Sequence, residues 1–235
     1  MNQQNFEKEL LELKQSQKRL LFCFFAVFVV AFSAISFGIY KINNPKFAEI
    51  DVQRINIKEP DGTIRLTISN RSLFPGAFFK NKEIDHPRAM AGMLFFNDEG
   101  TENGGFIFNG KLKENGQPSS GLSLTFDRYQ QDQQMQLLGV DAGGKHFAGL
   151  TFNDVVDGLD RPVFSNKDEQ LSEQGIYPIT KRVFLGKKAD KNSTLQLFDA
   201  NGNSRLELKV TPEGNAEIAF LDETGKPLKT ITATH

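Results

Sequence analysis

The chain reads as mainly β: a single N-terminal transmembrane α-helix followed by an antiparallel meander β domain. Three observations predict this. Leu20 to Tyr40 is an apolar run with no charge and no proline. From residue 50 onward, short stretches of alternating apolar residues recur. Gly, Asp and Asn turns separate them by only a few residues, whereas a parallel crossover needs about a dozen or more.

The apolar run has 21 residues, six of them Phe. At about 1.5 Å per residue it spans about 31 Å, the thickness of a bilayer's hydrocarbon core. A soluble helix would carry a polar face, and here only Ser33, Ser36 and Gly38 interrupt the apolar surface. Lys14, Lys18 and Arg19 precede the span, and Lys41 and Lys46 follow it. The positive-inside rule then places the N-terminus in the cytoplasm and the domain in the periplasm or outside the cell. A cleaved signal peptide is the competing reading, with small-residue sites around Ala31–Ser36. The long apolar run and the 19 residues before it favour an uncleaved signal-anchor. In the stub, Phe6, Leu10, Leu13, Gln17 and Leu20 share one helical face. Two heptads with Gln in the seam suit a helical extension of the anchor better than a coiled coil. The expected divisions are a cytoplasmic helical stub (1–19), the transmembrane helix (20–40), a linker (41–49) and an extracytoplasmic β domain (50–235).

In the domain, Ile55 and Ile57 alternate, then Ile64, Leu66 and Ile68, with Pro60-Asp61-Gly62 as the hairpin turn between them. Strands are expected at Met93–Phe96, Gly105–Phe108, Leu122–Phe126, Met135–Val140 and Phe147–Phe152. Residues 153–181 read as a long loop with a short strand at Pro162–Phe164. Five further strands follow: Val183–Leu185, Leu195–Phe198, Arg205–Val210, Ala216–Leu221 and Leu228–Thr232. A dozen strands in a meander need their edges hidden, which predicts a barrel- or propeller-like closure, with a sandwich as the alternative.

Composition narrows function. The chain has 28 Lys+Arg and 29 Asp+Glu; beyond residue 40 it keeps 24 and 26 of these. That balance offers no electrostatic footprint for nucleic acid. The one cysteine, Cys23, lies in the apolar run, so the domain has neither a disulfide nor a thiolate metal site. His86, His146 and His235 are too scattered for a zinc pattern. Neither a metal nor a cofactor is expected.

Two polar segments stand out as candidate ligand-binding loops. One is Asn97-Asp98-Glu99-Gly100-Thr101-Glu102-Asn103, rich in oxygen ligands but without calcium-loop spacing. The other is Asp127-Arg128-Tyr129-Gln130-Gln131-Asp132, which mixes carboxylate, guanidinium, phenol and amide. Both leave strands that end in Phe, which predicts a shared rim. The candidate residues are Asp98, Glu99, Glu102, Asn103, Asp127, Arg128, Tyr129 and Asp132, and no residue is assigned a catalytic role. Asp199-Ala200-Asn201-Gly202-Asn203 superficially resembles a calcium loop, but Ser204 and Val210 stand where that loop needs Gly and Glu, so a hairpin turn is expected.

The blocks FFNDEGTENGGFIFNG (95–110) and LTFDRYQQDQ (124–133) resemble those of an uncharacterised family of bacterial membrane-anchored β-rich proteins. The resemblance covers residues 50–231 and implies the same architecture and a role for the two loops, with no activity attached. The expected function is therefore a non-catalytic binding or scaffolding domain in the cell envelope. The alternative is an envelope hydrolase or ligand-binding enzyme using Asp98, Glu102, Asp127 and Asp132. The expected partners are the lipid bilayer, through Leu20 to Tyr40, and an envelope protein or a second copy of the chain.

Overall fold

The computed structural model describes residues 3–43, 45–155 and 179–233. It divides into two units, Met1–Asp51 and Val52–His235. The first is dominated by one unbroken helix, α1 (Gln3–Asn43), whose exposed apolar surface runs through the expected span. Its 41 residues extend about 61 Å, twice a hydrocarbon core. Stub and anchor are thus a single helix, and by length and composition it is the candidate membrane span among the described residues.

The second unit is an antiparallel meander. Strands β1 (Arg54–Lys58), β2 (Ile64–Ser69), β5 (Ala91–Phe96), β6 (Glu102–Leu112), β7 (Pro118–Asp127), β8 (Gln133–Ala142) and β9 (Lys145–Val155) lie side by side in that order. They continue into β10 (Ile179–Lys187), β11 (Ser193–Phe198), β12 (Ser204–Val210), β13 (Ala216–Leu221) and β14 (Pro227–Thr232). A small hairpin, β3 (Ala77–Phe79) with β4 (Lys82–Ile84), is inserted between β2 and β5. The sheet is open: β1 pairs with β2 and β14 with β13, and no pairing joins β1 to β14. Closure into a barrel was the wrong inference from the edge argument. The edges are managed locally, by short strands that carry Arg54 and Lys58 at one end and Pro227 and Lys229 at the other. The strand expected at Pro162–Phe164 lies outside the described residues.

One turn type recurs. The residue that opens it donates its N–H to the carbonyl four residues on and accepts the N–H from three residues on, as at Glu59, Asn97, Lys113, Lys188, Asp199, Thr211 and Asp222. The fourth residue then takes a positive φ. It is Gly at 62, 100, 116, 202, 214 and 225, but Lys191 (φ 70°) between β10 and β11. A side chain in that conformation costs about 1–2 kcal/mol, partly offset by the greater chain entropy that glycine loses on folding. Lys191→Gly is therefore expected to stabilise the domain by about 0.5–1 kcal/mol, read as a higher urea midpoint with an unchanged slope.

Paired residues in a sheet share a face. One face carries Thr67, Ser69, Leu94, Ser123, Thr125, Phe184, Thr194 and Ala219, all buried. Over β2, β5 and β6 it is covered by the β3–β4 hairpin. Phe78 meets Phe96 edge-on at 5.1 Å, and both pack with Leu94, Ile64, Phe74 and Ile107. The hairpin tip is fastened by the Lys80 N–H to Thr101 Oγ1 (2.9 Å) and the Asn81 N–H to the Gly100 carbonyl (3.1 Å). Further along the same face, Phe184 stacks on Phe147 at 5.6 Å, over Gly149, where a Cβ would come within 2.3 Å of the ring. Beyond Phe184 the face is polar: Gln196 and Lys188 reach Glu207, and Lys209 bonds Glu217 on its paired strand at 2.5 Å.

The opposite face is apolar, and the described residues leave it uncovered. Its central row of cross-strand partners runs Ile55, Ile68, Met93, Phe106, Leu124, Leu137, Leu150, Leu185, Leu195, Leu208, Ile218 and Ile231 without interruption. Beside it runs a second row that includes Ile57, Leu66, Phe95, Phe126, Met135, Phe152, Val183, Leu197, Leu206 and Phe220, broken by Gly104 and ended by Lys229. Among the described residues no side chain in either row is buried, and Leu137 and Leu185 are 47% and 53% exposed.

Candidate functional site

The two polar loops predicted to share a rim do meet. Strand pairing of β6 with β5 and β7 brings the turn after Phe96 alongside the turn after Phe126. The Tyr129 hydroxyl donates to Glu99 Oε1 at 2.8 Å, and Gln130 Nε2 donates to Glu99 Oε2 at 2.5 Å. The bond to the Glu99 carboxylate raises the Tyr129 phenol above its ordinary pKa, since ionising it would set two anions together.

Beneath that rim, on the covered face, is a pocket of about 220 Å³. Glu102, Asp127 and Asp132 line it together with His86, Arg88 and Gln133. Arg88 grips Glu102 with two hydrogen bonds, Nη1 to Oε1 at 3.2 Å and Nη2 to Oε2 at 2.8 Å, and both side chains are almost fully buried. This fork-on-fork geometry fixes the carboxylate plane. His86 titrates below its ordinary range, first because burial penalises the imidazolium and second because Arg88 repels it. Asp132 accepts the Gln133 N–H at 2.8 Å. The pocket thus holds three carboxylates against one guanidinium and an imidazole biased to the neutral form, a set able to grip a small polar ligand.

The other predicted residues take different positions. Asp98 is exposed and ion-paired with Arg65. Asn103 sits at the β5–β6 register shift and does not line the pocket. Arg128 donates to the Val155 carbonyl at 2.7 Å, tying the β7–β8 turn to the end of β9. The four carboxylates of the enzyme reading are therefore not one cluster: three share the pocket and Asp98 faces solvent beside Arg65. His86 and Arg88 were missed as site residues. They come from the irregular stretch before β5, and the signal available was an Asp-His-Pro-Arg run in a segment without strand periodicity.

The Asp-x-x-Gly turns are structural. Asp199 Oδ1 accepts the N–H groups of Asn201 and Asn203, both at 2.9 Å. Asp222 Oδ1 accepts those of Thr224 and Lys226, at 2.8 and 2.9 Å. Amide donation, led by Asn203 and Lys226 respectively, holds both carboxyls below the usual range. A carboxylate occupied in this way closes a hairpin and leaves little to offer calcium. Among the described residues, no group of three His, Cys, Asp or Glu is placed to hold a metal ion.

The second candidate is the bare apolar face. It spans twelve strands, about 50 Å at the usual strand spacing. At its C-terminal end the surface dips into a hollow of about 380 Å³ lined by Leu208, Val210, Ile218 and Ile231. Contiguous apolar surface on that scale marks a place where another molecule binds. No family model, curated protein or solved structure matches the chain.

Proposed function

We propose that this chain is a membrane-anchored binding protein of the cell envelope, whose working surface is the apolar face of the sheet and which carries out no catalysis. The observation that carries this reading is the asymmetry of the sheet. The hairpin cover, the buried side chains and the Glu207 and Glu217 ion pairs belong to one face, while the described residues leave the apolar rows of the other uncovered, with the exposed Asp141–His146 pair at their margin. A sheet buries its apolar face against something, and the described part of the chain does not supply it. The stronger positive cluster before the span, Lys14, Lys18 and Arg19, supports display of the sheet on the non-cytoplasmic side. The resemblance to bacterial membrane-anchored β-rich proteins points the same way. A hydrolase reading draws less support, because both oxygens of Glu102 are held by Arg88 and Asp98 stands outside the pocket.

The test is a polarity-sensitive fluorophore on the full chain in vesicles, attached at Leu137→Cys or, on the other face, at Asn109→Cys, each in a Cys23→Ser background. Blue-shifted, water-shielded emission is expected at 137 and water-like emission at 109. Water-like emission at both positions would mean that nothing occupies the apolar face, and the reading would fail. In parallel, a reporter fused after residue 235 is expected to be active only outside the cytoplasm.

A further inference from the structure

The apolar rows have a chemistry and a shape that select among partners. Their twelve-strand central row consists of Ile, Leu, Met and Phe alone. The chain has no Trp, and neither Tyr nor Arg appears in either row. Protein-binding surfaces draw much of their affinity from Trp, Tyr and Arg, which combine apolar area with a directional polar tip. Rows without a side-chain donor or acceptor, apart from the terminal Lys229, suit a ligand that has none, because every polar group laid on them would lose water without finding a partner.

Shape points in the same direction. Alternate residues of a strand are about 6.8 Å apart, so the two rows make a track about 14 Å wide and about 50 Å long. A second copy of the sheet could bury enough area there, since a standard interface needs about 800 Å² per partner. It would, however, have to fit the hollow of about 380 Å³ at the C-terminal end, or leave a void under the contact. A flexible chain bends into such a hollow.

Charge adds a third observation. On this face, from β10 to β14, the register places Lys187 and Lys229, while Arg182, at the β10 bulge, is taken up by an ion pair with Asp154. Lys187 pairs with Ser193 on the rim of the hollow, and Lys229 pairs with Phe220 at the end of the second row. Two cations beside an otherwise apolar track complement an anionic headgroup attached to hydrocarbon. The chain also carries a helix long and apolar enough to cross a bilayer, where such molecules are concentrated.

We infer that the apolar face holds the acyl chains of membrane phospholipid, laid along the row from Ile55 to Ile231 with the headgroup end toward Lys187 and Lys229. This rests on the binding role proposed for the face and specifies its ligand. The experiment is photocrosslinking of the full-length chain in phosphatidylcholine–phosphatidylglycerol vesicles carrying a trace of [14C]acyl phosphatidylglycerol. Benzoylphenylalanine replaces Leu137, Leu185, Asn109 or Phe28 in separate variants. Leu137 and Leu185 are about half exposed, so either position takes the larger side chain without disturbing a packed contact. Phe28, in the membrane span, reports lipid contact as the positive control, and Asn109, on the opposite face, reports background.

Lipid label at 137 and 185 at least about tenfold above that at 109 is expected, a ratio equivalent to about 1.4 kcal/mol of preference. Adding Lys187→Glu and Lys229→Glu is expected to lower it. Crosslinked product at twice the chain mass without lipid label would overturn the lipid assignment, name a second copy as the occupant and leave the binding role standing. Absence of any product above the 109 level, with Phe28 labelled, would overturn both.

Discussion

Arg88→Ala is expected to destabilise the β domain by about 3 kcal/mol, among the largest losses from any single truncation in it. Arg88 and Glu102 are almost fully buried, joined by two hydrogen bonds, and set beside Asp127 and Asp132 in the pocket. Removing the guanidinium takes its two hydrogen bonds from Glu102 and leaves three carboxylates sharing a small pocket without their cation. The cost comes from the stranded charge more than from the lost pair. Replacing both partners by apolar residues, Arg88→Met with Glu102→Met, is therefore expected to recover most of the loss. Urea unfolding of the wild type, the single and the double variants checks this. A double variant as unstable as the single one would show that the pair's shape, and not its charge balance, holds this region. His86 supplies a second readout. Its imidazole is held low partly by Arg88, so the single variant should raise its pKa, as followed by NMR titration.

Leu94→Ala is expected to cost about 3 kcal/mol, within the range of about 2–5 kcal/mol for truncating a buried leucine. Leu94 is 1% exposed and sits between Phe78, Phe96 and the backbone at Gly105, where a Cβ would lie 2.9 Å from its Cδ2. The buried cluster has three members, so few neighbours can collapse into the space. A typical domain holds about 5–15 kcal/mol in all. The substitution should also loosen the β3–β4 hairpin, whose Phe78 packs on the same cluster. Faster amide exchange at Phe78 and Asn81 than at residues of β12 would report that local opening.

The meander was legible in the sequence because each long strand presents its apolar residues on alternate positions, as in Leu122-Ser123-Leu124-Thr125-Phe126. The recurring turns were legible because glycine fills six of their seven positive-φ positions, at 62, 100, 116, 202, 214 and 225. The β3–β4 hairpin was not. Its strands have three residues each, too few to display a period, and its turn residues at positive φ are Lys80 and Asn81 where glycine would be the usual signal. Strand ends were underestimated for a related reason. β6 continues past Phe108 through Asn109, Gly110 and Lys111, whose polar character reads as loop, yet they pair with Gly121, Ser120 and Ser119. Openness was hidden because alternation identifies the two faces of a strand without saying whether both will be covered. The shared rim followed from strand ends at Phe96 and Phe126. His86 and Arg88 did not, since they reach the pocket from a segment with no periodicity and contact residues distant in the chain.

The most direct test sets Phe184 against Leu185, neighbours in β10 on opposite faces, 3% and 53% exposed. Each is truncated to alanine in the full chain, and urea unfolding is measured. Phe184→Ala is expected to cost about 3–5 kcal/mol, because it empties a packed site beside Phe147. Leu185→Ala is expected to cost less than about 1 kcal/mol, because its face contributes little to folding. Equal losses at the two positions would mean that the apolar face is an internal core of this chain, and the binding-surface account would be wrong.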